Sequence, residues 1–205
     1  MSAKMCHSAG GMGRLVWVGW GVWIGMTKVL WHITMSLDGF IAPEDDSVGW
    51  MFGHGAAGAL GVETMERTGA VLSGRRGYDL GNRARDGERK LYGGMWAGPV
   101  FVLTHRIDEV PADPAVTFLS CGVAEAVEIA GEAAGEKEVG VFGANLAGQC
   151  LEKGLVDEIA VHLVPILLGG GVRLFESDMR VRLRKIRCDD PGQITDLRFA
   201  VEGAG

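Results

Sequence analysis

VGVFGANLAGQCLEKGLVDEIAVHLVPILLGGGVRLFE, residues 139–176, contains a complete strand–loop–helix–strand unit. Residues 139–142 form a short apolar run typical of a buried strand, and Gly143-Ala144-Asn145 interrupts that run with small residues. A helix follows and ends at Gly154, and residues 157–164 continue as a second apolar strand. The segment therefore predicts one βαβ crossover of an α/β domain.

The loop Gly143-Ala144-Asn145 has two interpretations. A strand that turns on small residues directly into a helix aims free N–H groups and the positive end of the helix dipole at the loop, and this geometry suits a diphosphate. The alternative is an ordinary crossover that holds no ligand. The unit taken alone leaves the two interpretations open.

Composition predicts one domain without nucleic-acid or metal chemistry. A chain of 205 residues with 47% hydrophobic content can bury a core. The net charge of −6 argues against a general nucleic-acid binder. The four cysteines are widely scattered, with no CxxC pair and no histidine at metal-ligand spacing, so neither a disulfide framework nor a metal site is predicted. A reducing cytoplasm is the expected setting.

The first 25 residues differ in kind from the rest. LVWVGWGVWIGM, residues 15–26, is an apolar run behind Lys4 and Arg14. It is too short to span a bilayer and has no small-x-small cleavage site, so we predict no membrane attachment. We interpret residues 1–25 as a non-core extension from a mis-set start codon or a non-native addition, and residues 26–205 as the domain. The alternative is a true targeting or docking segment.

From Thr27 onward, strands and helices alternate. Besides the unit described above, the pattern predicts strands at residues 28–35, 70–73, 100–104 and 116–119, and helices at 60–67 and 123–130, the latter ended by Gly131. Residues 181–188 and 194–202 are joined by Asp189-Asp190-Pro191-Gly192, which predicts an antiparallel hairpin. The expected fold is a three-layer α/β domain with a mostly parallel central sheet and this hairpin at its edge.

Three predicted strand ends carry residues suited to a dinucleotide. They are Gly74-Arg75-Arg76, Thr104-His105-Arg106 and Gly143-Ala144-Asn145, and ligands of such sheets bind at the carboxyl ends of strands. A guanidinium group of Arg75, Arg76 or Arg106 could hold a 2′-phosphate bidentately, which favours NADPH over NADH. The alternative is that these arginines are solvated loop charges.

Four motifs carry a resemblance to a known family. They are SLDGFIA at 36–42, VLSGRRGYD at 71–79, GPVFVLTHR at 98–106 and FGANLAGQCLEKGLVDEIAVHLVPILLGGGVRLF at 142–175. In this order they resemble the dihydrofolate-reductase-like family that includes the reductase domain of riboflavin biosynthesis. The resemblance covers the chain from about Thr27 nearly to its end. It is specific to the superfamily and not to a substrate.

The resemblance implies an NADPH-dependent reductase of a small heterocyclic (pteridine- or pyrimidine-like) or imine substrate, usually a homodimer. Carried over by motif, Thr34 and Ile41 would flank the nicotinamide, and the other positions would hold the rest of the cofactor. These are Gly74, Arg75 and Arg76 at the diphosphate and 2′-phosphate side, Leu103, Thr104 and His105 at the adenosine half, and Gly143, Ala144, Asn145 and Leu146 at the diphosphate.

Departures from the family pattern leave the substrate open. Phe40 stands where the riboflavin-pathway reductases usually place a basic residue after SLDG, so a ribose phosphate would find no cation there. Dihydrofolate reductases place a carboxylate on the helix after the first loop, and residues 50–60 contain no acid. A nucleotide- or flavin-binding protein of the same fold, without turnover, therefore remains an alternative to the reductase.

Asp38 is the carboxylate of the first loop motif and the candidate proton donor. The alternative is that Asp38-Gly39 makes the turn, because Asp bonds its own backbone in turns. Trp50, Met51 and Phe52 are expected in the pocket wall or the core. A literal GxGxxG at residues 53–58 follows no clear strand, and we interpret it as a lid over the pocket rather than a dinucleotide fingerprint. His162, on a predicted strand, is expected to be a satisfied core or interface histidine.

Overall fold

The computed structural model describes residues 3–5, 27–54, 58–83, 91–109, 113–190 and 192–204. The helices are α1 (Ala59–Arg67), α2 (Arg75–Arg83), α3 (Val123–Ala134) and α4 (Ala144–Glu152). The strands are β1 (Ala3–Met5), β2 (Val29–Ser36), β3 (Phe40–Ala42), β4 (Thr68–Gly74), β5 (Val100–Leu103), β6 (Val116–Ser120), β7 (Glu138–Phe142), β8 (Glu158–Val164), β9 (Val172–Arg173), β10 (Val181–Asp189) and β11 (Thr195–Ala204).

Nine of these strands form one sheet in the order β1-β6-β5-β4-β7-β2-β8-β11-β10. The first seven strands in this order, from β1 to β8, run parallel to one another. β11 lies antiparallel to β8, and β10 antiparallel to β11. The predicted fold, a mostly parallel sheet with an antiparallel C-terminal hairpin at its edge, is confirmed.

Each face of the sheet is covered by helices, because alternate side chains of a strand point to opposite faces. On one face, α3 and α4 pack on apolar residues of the central strands such as Trp31, Val141 and Ile159. On the other face, Tyr78 of α2 packs on Val102 and Phe118. Because β2, β4, β5 and β7 are parallel neighbours, their carboxyl ends meet at one edge, where a ligand has access to all of them.

One helix was not predicted, and one helix boundary differs from the prediction. Arg75 and Arg76, predicted at a strand end, form the first turn of α2. α3 continues past Gly131 to Ala134 and ends at Gly135, which has φ +61°. Alanines 126, 130 and 134 give this helix a buried face that extends through Gly131, and this packing outweighs the roughly 1 kcal/mol by which an interior glycine disfavours a helix.

Three short strands were not predicted. β3 and β9 form a separate antiparallel pair, with Phe40 opposite Arg173. Gly171, just before β9, has φ +121°, and a Cβ at this position would lie 2.0 Å from the carbonyl oxygen of Ala42. This close approach requires glycine.

β1 lies within the segment that we interpreted as a non-core extension, and it pairs parallel with β6 at the edge of the sheet. Residues 6–26 lie outside the described residues, so the origin of the extension stays a prediction. Within the part of the chain that the structure describes, no helix is long and apolar enough to cross a membrane.

Candidate functional site

A cavity of about 730 Å³ lies at the carboxyl ends of β2, β4, β5 and β7. Ile33, Ser73, Leu103 and Phe142 contribute to it from these strands. One wall is the loop of residues 43–52, which contributes Asp46, Ser47, Val48, Trp50 and Met51. The start of α2 and the loops that follow β5 and β7 contribute further residues. The volume falls in the range of small-molecule and cofactor sites.

The cavity brings together the predicted cofactor residues other than Thr34. Its lining includes Ile41, Gly74, Arg75, Arg76, Leu103, Thr104, His105, Arg106, Gly143, Ala144, Asn145 and Leu146. They come from four separate stretches of the chain, so their meeting is a consequence of the parallel sheet. The role of these residues in binding a cofactor stays a prediction.

Thr34 is absent from the residues that line the cavity, and its neighbour Ile33 lines it instead. Successive side chains of a strand point to opposite faces of the sheet, so Thr34 faces away from Ile33. On β2 it lies in register with His162 of β8. The end of β2 therefore lies at the cavity, and the predicted contact of Thr34 with a nicotinamide stays a prediction.

Asp38 also lies outside the lining of the cavity. Its carboxylate accepts hydrogen bonds from Ser36 Oγ at 2.6 Å, Gly169 N at 2.7 Å and Leu168 N at 3.1 Å. The Ser36 hydroxyl, followed by these two backbone N–H groups, lowers the pKa of Asp38 to about 2. A carboxyl group with this pKa carries no proton near neutral pH, so Asp38 serves the turn and ties it to the three-glycine loop.

The three arginines that line the cavity all have carboxylate partners. Arg75 Nε donates to Asp79 Oδ1 at 2.8 Å, within α2. Arg76 Nη2 lies 2.5 Å from Asp46 Oδ1, and Arg106 Nη1 lies 3.1 Å from Glu109 Oε2. A guanidinium group has five N–H donors, so each arginine retains donors after making such a contact. A bound phosphate would share these arginines with the carboxylates or replace the carboxylates.

The start of α4 provides a second place for an anion. Gly143 precedes the helix with φ +98°, a conformation that favours glycine, and no side chain caps the helix there. The first turn contains no acidic residue, so its free N–H groups and the helix dipole remain available to a phosphate. Asn145 Oδ1 accepts a hydrogen bond from Gln149 Nε2 at 2.9 Å, so this part of its side chain is engaged within the helix.

Much of the cavity lining is apolar. Ile33, Ile41, Trp50, Met51 and Phe142 line it, which provides flat, water-excluding surfaces for a ring. Trp50 and Met51 are thus in the pocket wall as predicted, whereas Phe52 is 56% exposed and is not among the lining residues. Residues 55–57 of the predicted lid lie outside the described residues.

A buried polar network lies behind Phe142, and sequence reasoning did not find it. His162 Nδ1 lies 2.6 Å from Asp196 Oδ1, and the Nε2 atoms of His162 and His32 are 2.5 Å apart. His32 Nδ1 lies 2.9 Å from the Tyr92 hydroxyl. All four ring nitrogens are therefore engaged, and His162 is the satisfied histidine that the sequence favoured. Its partners are 34 and 130 residues away along the chain, a separation at which sequence patterns carry no signal.

This network predicts that the protein loses stability on mild acidification. Burial of His32, followed by the effects of His162 and Arg198, holds its pKa well below its ordinary value of about 6.5. In the unfolded chain His32 takes up a proton as the pH falls through about 6.5, whereas in the folded protein it stays neutral. The free energy of unfolding should therefore fall between pH 6.5 and 5, by up to about 1.4 kcal/mol per pH unit from this residue.

Urea denaturation at several pH values measures this dependence. The variant His32→Gln should show a shallower dependence between pH 6.5 and 5, because no imidazole remains to be protonated there in the unfolded chain. His105→Gln is the matched control, since His105 is exposed on the loop after β5. Equal slopes for wild type and His32→Gln would contradict the assignment of the pH dependence to His32.

Comparison with known proteins identifies relatives without an assigned function. The chain is 26% identical over 177 residues to the uncharacterized protein YwjB of Bacillus subtilis, covering 84% of this chain and 97% of that protein. It is 25% identical over 167 residues to the uncharacterized protein YyaP of the same organism, covering 78% and 86%. These similarities extend over most of each protein.

Solved structures share the fold. A putative riboflavin biosynthesis protein from Shewanella sp. PV-4 superimposes with a TM-score of 0.72 at 24% identity, covering 86% of this chain and 99% of that one. A diaminohydroxyphosphoribosylaminopyrimidine deaminase/5-amino-6-(5-phosphoribosylamino)uracil reductase from Thermotoga maritima gives a TM-score of 0.63 at 16% identity, covering 86% and 57%. At these identities the similarity establishes the fold alone.

The family assignment comes from the sequence itself. The family model for the RibD C-terminal domain matches residues 27–195, which is most of the chain and includes all four motifs. This match begins where the predicted domain begins, next to Met26. By sequence and by fold, the chain belongs to the RibD C-terminal domain family, and the predicted relationship to dihydrofolate-reductase-like reductase domains is confirmed.

Proposed function

We propose that the protein is an NADPH-dependent reductase that transfers a hydride to a small heterocyclic, pteridine- or pyrimidine-like, or imine substrate. The observation that carries the proposal is one cavity lined by arginines that follow β5 and β4, by the uncapped start of α4 after β7, and by apolar residues such as Ile33 of β2, on four adjacent strands. A dinucleotide with a charged half and a flat nicotinamide ring matches this order of surfaces.

Different residues of the cavity would bind different parts of the cofactor. The free N–H groups at the start of α4 would hold the diphosphate. Arg75, Arg76 and Arg106 would hold the 2′-phosphate side, because guanidinium groups match phosphate geometry. Ile33, Ile41 and Phe142 would position the ring and exclude water. NADPH, when bound, supplies the hydride, and catalysis then depends on holding the substrate close to it in the correct orientation.

The proton that accompanies the hydride needs a source other than Asp38. The carboxylate of Asp38 is ionised near neutral pH and lies outside the cavity lining, so solvent water or an acidic group that lines the cavity would supply the proton. The same observation favours a second candidate function, a nucleotide- or flavin-binding protein of this fold that performs no reduction. Consumption of NADPH in the presence of pteridine, pyrimidine or cyclic imine substrates separates the two.

Titration with NADPH and NADH, followed by nicotinamide fluorescence, tests cofactor choice. We expect micromolar binding of NADPH and at least about tenfold weaker binding of NADH, because charged hydrogen bonds to a 2′-phosphate contribute about 1.5–3 kcal/mol. The double variant Arg75→Ala/Arg76→Ala should weaken NADPH binding at least about tenfold and NADH binding much less.

Arg184→Ala is the matched control for that variant, since Arg184 is an exposed, ion-paired arginine of β10 outside the cavity lining. It should leave both affinities unchanged. An equal loss of NADPH and NADH binding in the double variant would contradict the 2′-phosphate assignment. Failure of the wild-type protein to bind either nucleotide would refute the reductase proposal.

A homodimer also belongs to this proposal. The apolar residues Ile159 and Val161 of β8 are buried in the core. The outermost strand β10 instead exposes Leu183 and Ile186, at 41% and 45%. Light scattering on the 21.8 kDa chain tests the assembly state, and a monomer mass at micromolar concentration would refute it.

A further inference from the structure

An ion pair joins the two walls of the cavity. Arg76, in the first turn of α2, and Asp46, in the loop of residues 43–52, lie 2.5 Å apart between Nη2 and Oδ1. Both residues line the cavity. The guanidinium group that suits a ligand phosphate is thus already bound to an anion supplied by the protein.

The backbone of the loop holds Asp46 in an unusual conformation. Asp46 has φ +57°, one of two positive values among the described non-glycine residues. This left-handed region disfavours most L-residues, and Asn and Asp tolerate it best. Asp46 N donates to Pro43 O at 3.1 Å, a bond internal to the loop, whereas its carboxylate reaches across to α2. The loop therefore presents this carboxylate to Arg76 from a conformation that few other residues adopt.

Arg75 and Arg76 differ in how they are held. Arg75 is bonded to Asp79 one turn along α2, and its Nη1 donates to the carbonyl oxygen of Glu109 at 3.4 Å. Both of these contacts are compatible with a bound ligand, because neither comes from the opposite wall. Arg76 instead pairs with Asp46, a carboxylate of that opposite wall. A ligand lying between the walls meets the Arg76–Asp46 pair directly.

The Arg76–Asp46 ion pair is weak enough for a ligand phosphate to replace Asp46. The side chains of Arg76 and Asp46 are 60% and 26% exposed, and ion pairs with this much solvent contact are weak and screened by salt. A phosphate monoester brings about two negative charges and three acceptor oxygens, against the single charge of a carboxylate. It can therefore replace Asp46 at the guanidinium group.

We propose that Asp46 is the resident counter-ion of Arg76 and that the 2′-phosphate of the ligand displaces it on binding. The inference rests on the proposed function, because it takes the 2′-phosphate as the ligand group. Asp46 then lowers affinity for ligands that carry this phosphate, and its displacement frees the loop of residues 43–52 from α2. A ligand without the phosphate leaves the pair intact.

Isothermal titration of the full chain with adenosine 2′,5′-bisphosphate and with adenosine 5′-monophosphate tests this exchange. Asp46→Asn keeps the size of the side chain and its tolerance of a positive φ, and removes the competing charge. We expect it to tighten binding of the bisphosphate about two- to fivefold, the range for loss of an exposed ion pair, and to leave the monophosphate unchanged.

Asp45→Asn is the matched control. It removes one negative charge from the same loop, and the Asn side chain can still accept the hydrogen bond that Asp45 Oδ1 receives from Ser47 N at 3.0 Å. It should leave both affinities close to wild type. In the Arg76→Gln background the gain from Asp46→Asn should vanish, because no guanidinium group remains to be released.

Several outcomes would overturn the inference. They are no change in bisphosphate affinity in Asp46→Asn, equal tightening of both nucleotides, the same gain in Asp45→Asn, or no bisphosphate binding to either protein. NADPH titration distinguishes this failure from failure of the proposed function. If NADPH binds wild type and Asp46→Asn equally well, the reductase proposal stands and the counter-ion role of Asp46 is refuted.

Discussion

Replacing Arg198 with alanine should lower the free energy of unfolding by about 3 kcal/mol, the lower part of the range for breaking a buried ion pair. Arg198 is 3% exposed on β11. Its Nε donates to Glu158 Oε2 at 2.6 Å, and its Nη2 donates to both carboxylate oxygens of Glu138 at 3.1 and 3.2 Å. Without the guanidinium group, two buried carboxylates lose their common partner.

The expected loss of unfolding free energy lies in the lower part of that range, because each glutamate keeps a second cationic partner. Lys28 Nζ lies 2.7 Å from Glu158, and Arg67 bonds to Glu138. Urea denaturation at pH 7 measures the effect. Arg184→Ala is the matched control, since its pair with Glu202 is exposed and should change stability by less than about 1 kcal/mol. A change below about 1 kcal/mol in Arg198→Ala would contradict a structural role for this network.

Replacing Gly171 with alanine should destabilise the protein by about 2–6 kcal/mol, because two effects add. A Cβ at Gly171 would lie 2.0 Å from Ala42 O and 2.8 Å from Pro43 Cα, and backbone atoms cannot move aside as a flexible side chain does. Overpacking of this kind costs roughly 1–3 kcal/mol. The φ of +121° adds backbone strain of about 1–3 kcal/mol for a residue with a side chain.

The same change should also weaken nucleotide binding, because Ala42 and Val172 on either side of the contact line the cavity. Thermal unfolding and the NADPH titration measure the two effects. Gly148→Ala is the matched control: it lies within α4, and a Cβ there meets no atom within 4 Å. It should keep stability or raise it by up to about 1 kcal/mol, from the helix propensity of alanine. A Gly171→Ala protein as stable as wild type would show that the β3–β9 contact can open without loss.

Much of the fold could be predicted from the sequence because burial in a parallel sheet leaves a local signature. β5, β7 and β8 are short apolar runs that end at small or polar residues, and each lies within one or two residues of its predicted position. The C-terminal hairpin was predicted from its turn residues and found as β10 and β11. The apolar pattern could not locate β3 and β9, since strands of three and two residues are too short to show alternation.

The predicted strand ends also identified most of the cavity, because parallel strands bring their carboxyl ends to one edge whatever the connecting loops do. The motif did not indicate which face of β2 lines the cavity: Ile33 lines it and Thr34 does not. The role of Asp38 likewise depended on Leu168 and Gly169, which lie about 130 residues away along the chain. The opposite wall of the cavity, with Asp46, carried no recognisable motif.

The sequence by itself determined the mostly parallel α/β fold, the strand ends that line the cavity and the family, because apolar periodicity and glycine or arginine strand ends are properties of neighbouring residues. Only the tertiary structure decided which polar and charged side chains are paired. The pairs Arg76–Asp46, Arg198–Glu138 and His162–His32 join residues 30 to 130 positions apart. Such pairs arise from the packing of strands and loops, which brings together side chains whose spacing along the chain is physically arbitrary.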